Sequence, residues 1–201
     1  MLTHTQRRLI NSLIGSFENA LIEPFLDLQS VNINPIFLVG PPRSGTTVIY
    51  RWFIYYLNEK IAYLTRLADM YPDGAFLLNW IGLKIYGEMV DIQSPHIYGQ
   101  IKGFTAPAEG NRIWPWCEDS LEGIEKIRSR YLFNRTDYYK VKRITPSVYY
   151  FLNKVIRKQC LLMKSELFIN KSVHNTTRIT ELKQLFPTAK FIGIIRDGRS
   201  V

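Results

Sequence analysis

The stretch FLVGPPRSGTTVIYRWF, residues 37–53, has the layout of a phosphate-binding loop. A short apolar run leads into a turn of Pro, Gly, Ser and Thr, and a second apolar run follows. Gly40 and Gly45 keep the glycine spacing of the nucleotide loop G-x-x-x-x-G-K-[ST]. This order predicts a buried strand, a loop and a helix that begins at Thr46. The backbone N–H groups around Ser44 would then form an anion-binding nest at the helix N-terminus.

The lysine of the nucleotide loop is missing, because Thr46 stands in its place. In kinases and NTPases that lysine holds the β- and γ-phosphates. Here Arg43 supplies the positive charge from inside the loop, and the hydroxyls of Ser44, Thr46 and Thr47 add donors. Two alternatives stay open on these residues: a P-loop kinase or NTPase with a degenerate loop, and a non-catalytic nucleotide- or anion-binding module.

Apolar runs on both sides of the loop predict an α/β domain with a P-loop-like parallel sheet flanked by helices. Leu9, Leu13, Phe17 and Leu21 follow helical spacing near the N-terminus. Strands are predicted at 34–40, 60–65, 166–171 and, as a buried strand, 189–196; helices are predicted at 46–58, 72–90, 120–130, 146–164 and 175–187. The strand, helix and strand at the end of the chain form a βαβ unit, which requires parallel strands.

Composition indicates one globular domain over residues 1–201, with 46% hydrophobic and 21% charged residues. The net charge of +9 favours a polyanionic ligand or surface. Lysine- and arginine-containing segments at 140–143 and 154–158 would line a nucleic acid or, more simply, a solvated helix face. Two cysteines without a metal-binding spacing, and no apolar run long enough to span a membrane, lead us to expect a cytoplasmic protein.

Two separate motifs resemble the sulfotransferases that use 3′-phosphoadenosine-5′-phosphosulfate (PAPS). PPRSGTT at 41–47 is similar to the 5′-phosphosulfate loop of the bacterial enzymes and of the protein-tyrosine sulfotransferases. INKSVHNTTRITELKQLFPTAKFIGIIRDGRSV at 169–201 is similar to a later element of the same family. The resemblance implies that residues 43–47 bind the 5′-phosphosulfate and that Arg196 binds the 3′-phosphate. A surface pairing of Arg196 with Asp197 is the plain structural alternative.

The resemblance implies transfer of a sulfonate from PAPS to a hydroxyl or amine of a small molecule, a glycan or a lipid head group. No metal is then needed, since the transferring group carries less charge than a triphosphate. Arg43 and Lys171 would support the transition state by charge, although Lys171 could also be a surface lysine. The expected partners are this acceptor and no nucleic acid. Peripheral contact with a membrane is compatible with the sequence, which leaves the oligomeric state open.

A general base is needed for the acceptor, and the family's own bases have no counterpart here, since Leu64 stands at the glutamate position. We choose Glu109 from the candidates Glu59, Asp69, His96, Glu109 and His174. It lies in the segment 91–120, a punctuated stretch that we interpret as an acceptor-side loop region. Trp114 and Trp116 in that segment would stack on an acceptor or pack in the core.

The chain ends inside the second motif, at RDGRSV. In the resembling family, a serine and further elements that close over the cofactor follow at this point. We therefore expect a fold that is incomplete at the C-terminus and a 201-residue chain that is inactive alone.

Overall fold

The computed structural model describes residues 4–57, 60–86, 103–110, 113, 124–128, 137–141 and 145–197. The helices in these ranges are α1 (His4–Leu21), α2 (Thr46–Leu57), α3 (Arg66–Met70), α4 (Ala75–Tyr86), α5 (Pro146–Leu162) and α6 (Ile179–Leu185), with short 3₁₀ helices at Glu23–Phe25 and Val173–Thr177. The strands are β1 (Asn34–Val39), β2 (Ala62–Tyr63), β3 (Ile124–Arg128), β4 (Asp137–Val141), β5 (Leu167–Lys171) and β6 (Lys190–Gly193). In this part of the chain, none of the helices is both long and apolar enough to cross a membrane.

Four strands form one parallel sheet in the order β2-β5-β1-β6. All four carboxyl ends therefore point to the same edge of the sheet, where ligands bind in open α/β folds. The register places Leu38 of β1 opposite Lys171 of β5. Leu38 lies two residues before Gly40, the glycine that opens the loop. The predicted α/β architecture with a parallel sheet flanked by helices is confirmed.

Two hydrophobic clusters cover the two faces of this sheet. Phe37 and Phe168 point into a cluster with α5 and α6, whereas the next residues along the strands, Leu38 and Ile169, point into a second cluster with α2. Successive residues of a strand face opposite sides, so α2 packs on one face and α5 and α6 on the other. Cys160 of α5 is buried in the first cluster, and this burial raises the pKa of its thiol to about 12.

One predicted helix and the predicted burial of one strand are wrong. The helix predicted at 120–130 is the strand β3 over the described residues 124–128, paired antiparallel with β4 so that Ile124 lies opposite Val141. Tyr138, Tyr139 and Val141 of β4 have high strand propensity, and the cross-strand pairing overrides the helical spacing of Ile124 and Ile127. Strand β6 was expected to be buried, but it forms an edge of the sheet and none of its four residues is buried.

The basic segment 154–158 is not a solvated helix face, since its cations contact other parts of the chain. Lys158 is fully buried and its ammonium lies 2.5 Å from the carboxylate of Glu18 on α1. Lys154 pairs with Glu23 at 2.6 Å, and Arg157 donates to the carbonyl oxygens of Leu28, Gln29 and Val31. These cations hold the N-terminal part of the chain against α5.

Candidate active site

The loop between β1 and α2 is shaped by close backbone approach. A Cβ at Gly40 would lie 2.6 Å from the carbonyl oxygen of Ile194 and 2.9 Å from the Ser44 hydroxyl oxygen, so only glycine fits there. Arg43 and Gly45 both adopt positive φ, at 69° and 94°. The glycine costs little in this conformation, whereas a non-glycine residue in it is uncommon and typical of functional turns.

The loop has free space on one side, and one of its hydroxyl groups has no hydrogen-bond partner among the described residues. A Cβ placed on Gly45 would meet no atom within 4 Å, so the space beside it is free. The Ser44 side chain is buried, and its Oγ has no hydrogen-bond partner among the described residues. A buried hydroxyl normally has a partner, so this one is suited to an oxygen of a bound anion. Helix α2 begins at Thr46, and its positive dipole end favours the same charge.

Thr176 ties the loop to the neighbouring strand. Its Oγ1 accepts from the Gly40 N–H at 3.0 Å and donates to the Gly40 carbonyl oxygen at 3.2 Å. Thr176 belongs to the 3₁₀ helix that follows β5, so one hydroxyl fixes the loop relative to the end of that strand. Thr176 was not predicted from the sequence, because it lies 136 positions from Gly40 and no local pattern marks it.

The structure brings together two of the predicted catalytic residues, Lys171 and Glu109, as an ion pair. The Lys171 side chain is 4% exposed, while that of Glu109 is 39% exposed. A buried ammonium needs a nearby counter-charge, and Glu109 provides it while keeping contact with solvent. The pair lies at the carboxyl end of β5, one strand away from the phosphate-binding loop.

Glu109 is positioned by a backbone ladder rather than by a regular element of its own. Ala108 donates to the Leu64 carbonyl at 2.7 Å, and Arg66 donates to the Ala106 carbonyl at 2.9 Å. From β5, the Asn170 side chain donates to the Glu109 carbonyl at 3.4 Å. These bonds align the segment 103–110 with the end of β2, and they set Glu109 at the same sheet edge as the loop.

The other predicted residues are distributed as follows. Arg196 is exposed and follows the segment that touches Gly40, since Ile194 donates to the Val39 carbonyl at 2.9 Å. His174 is half-buried, and burial, with the Arg178 guanidinium as a second cause, lowers the pKa of its imidazole. His96, Trp114 and Trp116 lie outside the described residues, as does most of the predicted acceptor-side region 91–120.

A small apolar cavity lies under Glu109, between the sheet and helices α5 and α6. Its volume is about 50 Å³. Glu109, Asn170 and Asn175 are the polar residues of the lining, and the rest is apolar or glycine: Phe37, Leu64, Gly110, Ile113, Leu152, Val155, Ile156, Phe168, Leu182 and Phe186. The candidate base therefore stands beside an apolar interior on one side and solvent on the other.

No protein-family model matches the chain, and no curated protein matches it. Among solved structures, the chain is similar to sulfotransferase STF9 from Mycobacterium avium, with 18% sequence identity and a TM-score of 0.48. The match covers 92% of this chain and 47% of the STF9 chain, so this chain spans about half the length of that protein.

Proposed function

We propose that the site belongs to a PAPS-dependent sulfotransferase. The observation that carries the proposal is the pairing of two features at one sheet edge. A lysine-free anion loop with an unpartnered buried hydroxyl, Ser44, lies one strand away from the ion pair of Lys171 and Glu109. Sulfonate transfer needs an anion cradle and a base close to each other, with fixed cations in place of a metal.

The residues present fit this cofactor. The open space at Gly45 and the Ser44 hydroxyl would receive the 5′-phosphosulfate, together with Arg43, Thr46 and Thr47. Arg196 would hold the 3′-phosphate from the end of the neighbouring β6 segment. When bound, PAPS would supply the sulfonate that is transferred to the acceptor.

Glu109 would accept the proton of the acceptor hydroxyl or amine. Its 39% exposed side chain allows it to pass that proton to solvent afterwards. Uptake of the proton would also remove the counter-charge of Lys171, whose ammonium would then be available to an anionic oxygen at the same edge. Glu109 would thus act first and Lys171 second, because protonation of the Glu109 carboxylate frees the positive charge of Lys171.

The acceptor remains one of three classes: a small molecule, a glycan or a lipid head group.

Calorimetry tests the nucleotide assignment. We expect the desulfonated cofactor, 3′-phosphoadenosine-5′-phosphate, to bind more tightly than ATP. Arg43→Gln should weaken this binding by about tenfold to a hundredfold, the range expected for a lost charged hydrogen bond. Lys190→Gln removes the same charge at the amino end of β6 and should leave the affinity unchanged. ATP binding that is equal or tighter would favour the kinase or NTPase alternative and contradict the proposal.

Because we expect the 201-residue chain to be inactive alone, the turnover assay is made on a protein extended by the later elements of the resembling family. Binding without turnover of PAPS by that protein, in the presence of a panel of hydroxyl and amine acceptors, would support the non-catalytic module. Where the unchanged protein does transfer sulfonate, Glu109→Gln should abolish transfer but preserve nucleotide binding, since only the base is lost.

A further inference from the structure

Helix α1 presents four large apolar side chains to the outside. Leu9, Leu13, Phe17 and Leu21 are each between 51% and 62% exposed. They follow one another at intervals of four residues, so they form a continuous stripe along one side of the helix. Phe25, which is 85% exposed, continues the apolar surface beyond the end of α1.

Polar contacts fix this orientation. On the inward side, Glu18 is fully buried, pairs with Lys158 at 2.5 Å and accepts the Leu77 N–H at 2.7 Å. Asn11 is also buried and binds Asp73 through both its amide nitrogen and its amide oxygen. Rotating the apolar stripe inward would bring Glu18 and Asn11 into solvent and leave Lys158 without this partner. The outward stripe is therefore a stable feature of the fold.

The exposed side of α1 carries no charge between Leu9 and Leu21. Glu18 is the only charged residue in that range and it faces inward. The exposed residues next to the apolar stripe include Ser12, Ser16 and Ala20. Arg7 precedes the stripe, and the chain as a whole carries a net charge of +9. An uncharged apolar strip next to a basic residue on a basic chain suits an anionic lipid surface.

A second copy of the chain suits this face less well. The 18-residue helix is about 27 Å long and offers at most about 300 Å² of face on each copy. A stable protein interface buries about 1,200–2,000 Å² in total. Two chains of net charge +9 would also repel each other. Insertion into a bilayer interface has no such area requirement, because each apolar side chain partitions on its own.

We propose that the outward face of α1, defined by Leu9, Leu13, Phe17 and Leu21 with Phe25 at its end, lies in the interface of an anionic lipid bilayer. The helix is parallel to the membrane plane, its apolar stripe contacts the acyl boundary, and Arg7 lies near the head groups. This contact is independent of the sulfotransferase proposal, since it involves none of the residues of the loop or of the ion pair at the sheet edge.

Flotation with lipid vesicles tests the proposal on the full chain. We expect binding to vesicles of mixed phosphatidylcholine and phosphatidylglycerol, weaker binding to pure phosphatidylcholine, and a decrease as salt is raised. The double variant Leu13→Gln/Phe17→Gln should bind at least tenfold more weakly, because two apolar side chains no longer partition. Both positions are exposed, and glutamine keeps the helix propensity, so circular dichroism should show an unchanged fold.

The matched control is Tyr55→Gln/Tyr56→Gln on α2. These tyrosines are 55% and 63% exposed, and α2 packs on the opposite face of the sheet from α5, to which α1 is anchored. The control should bind vesicles as the unchanged chain does. No binding to anionic vesicles would overturn the proposal, as would equal loss of binding in the two double variants. A solution dimer that the α1 variant dissociates would assign the face to a second copy instead.

Discussion

Two lysine–glutamate pairs in this molecule have the same chemistry and different surroundings. Lys158 and Glu18 join α5 to α1, and both side chains are 0% exposed. Lys171 and Glu109 meet at the carboxyl edge of the sheet, where the lysine is buried but the glutamate reaches solvent. In the first pair neither charge can be reached by a ligand or a proton donor. In the second pair one partner can exchange a proton with water while the other stays fixed.

The difference separates a structural pair from a candidate functional one. A buried charge pair contributes little net stability compared with apolar packing, but the loss of one partner leaves a buried charge uncompensated. That penalty applies to Glu18 when Lys158 is lost, whereas Lys158 keeps a second carboxylate, that of Glu23 at 3.0 Å, when Glu18 is lost. It applies only to the lysine end of the Lys171–Glu109 pair, because Glu109 can be hydrated when its partner is removed.

The largest effect is expected for Lys158→Met. Glu18 would remain fully buried with only the Leu77 N–H as a partner among the contacts described above, so the free energy of unfolding should fall by about 3–5 kcal/mol. Urea denaturation followed by circular dichroism measures this change. Lys154→Met, at a partly exposed position in the same cluster, should cost no more than about 1 kcal/mol. Equal losses in the two variants would show that burial does not control the energetics of this cluster.

Ser44→Ala should lower the affinity for the nucleotide without lowering the free energy of unfolding. Its Oγ has no partner among the described residues, so its removal should leave the free energy of unfolding unchanged or slightly increased. Affinity for 3′-phosphoadenosine-5′-phosphate should fall about tenfold, as for the loss of one hydrogen bond to a charged group. Ser165→Ala is a useful contrast, since its Oγ donates to the Lys60 carbonyl at 2.8 Å and its loss should lower stability but not affinity. An unchanged affinity for Ser44→Ala would remove this hydroxyl from the site.

Lys171→Met should change stability by no more than about 1 kcal/mol, in contrast to Lys158→Met, because the remaining Glu109 carboxylate is already in contact with water. The same urea titration gives this value. Transfer activity, where it is found, should fall sharply, since the variant lacks the cation. A destabilisation as large as that of Lys158→Met would identify the second pair as structural too.

The smallest effect concerns pH. Burial, and after it the charge of Arg178, lower the pKa of His174 in the folded chain below its ordinary value of 6.5. As pH falls below 6.5, the unfolded chain takes up a proton that the folded chain resists, so stability should fall with pH. His174→Gln should reduce that slope when urea midpoints are compared above and below pH 6.5. Identical slopes for the two proteins would show that His174 does not contribute.

Local sequence was sufficient to predict the loop and its flanking elements. The strand β1, the helix beginning at Thr46 and the strand β5 follow from short apolar runs and glycine spacing, which depend on neighbouring residues alone. The same holds for the start of α5, where Thr145 caps the helix by accepting the Val148 N–H. Glu109 and Lys171 were also named from the sequence, but as separate residues.

Contacts between distant residues were not predictable in this way. Lys158 looked like a solvated lysine because its partner, Glu18, lies 140 positions away. The apolar spacing of α1 indicated a helix but not its outward orientation, which depends on Glu18 and Asn11 finding partners on other elements. The helix expected at 120–130 was wrong for the same reason, since the pairing of β3 with β4 decides the conformation of 124–128.

The double hydrogen bond between Thr176 and Gly40 has a consequence for how the site would meet a ligand. Because one hydroxyl engages both polar groups of Gly40, the loop and the end of β5 form a single preorganised unit. The loop and the strand end lose their relative freedom during folding, so a binding anion does not have to order them. The entropy cost of binding is smaller for that reason. A Thr176→Val variant would therefore lower affinity chiefly by making the ligand order the loop, even though residue 176 need not touch it.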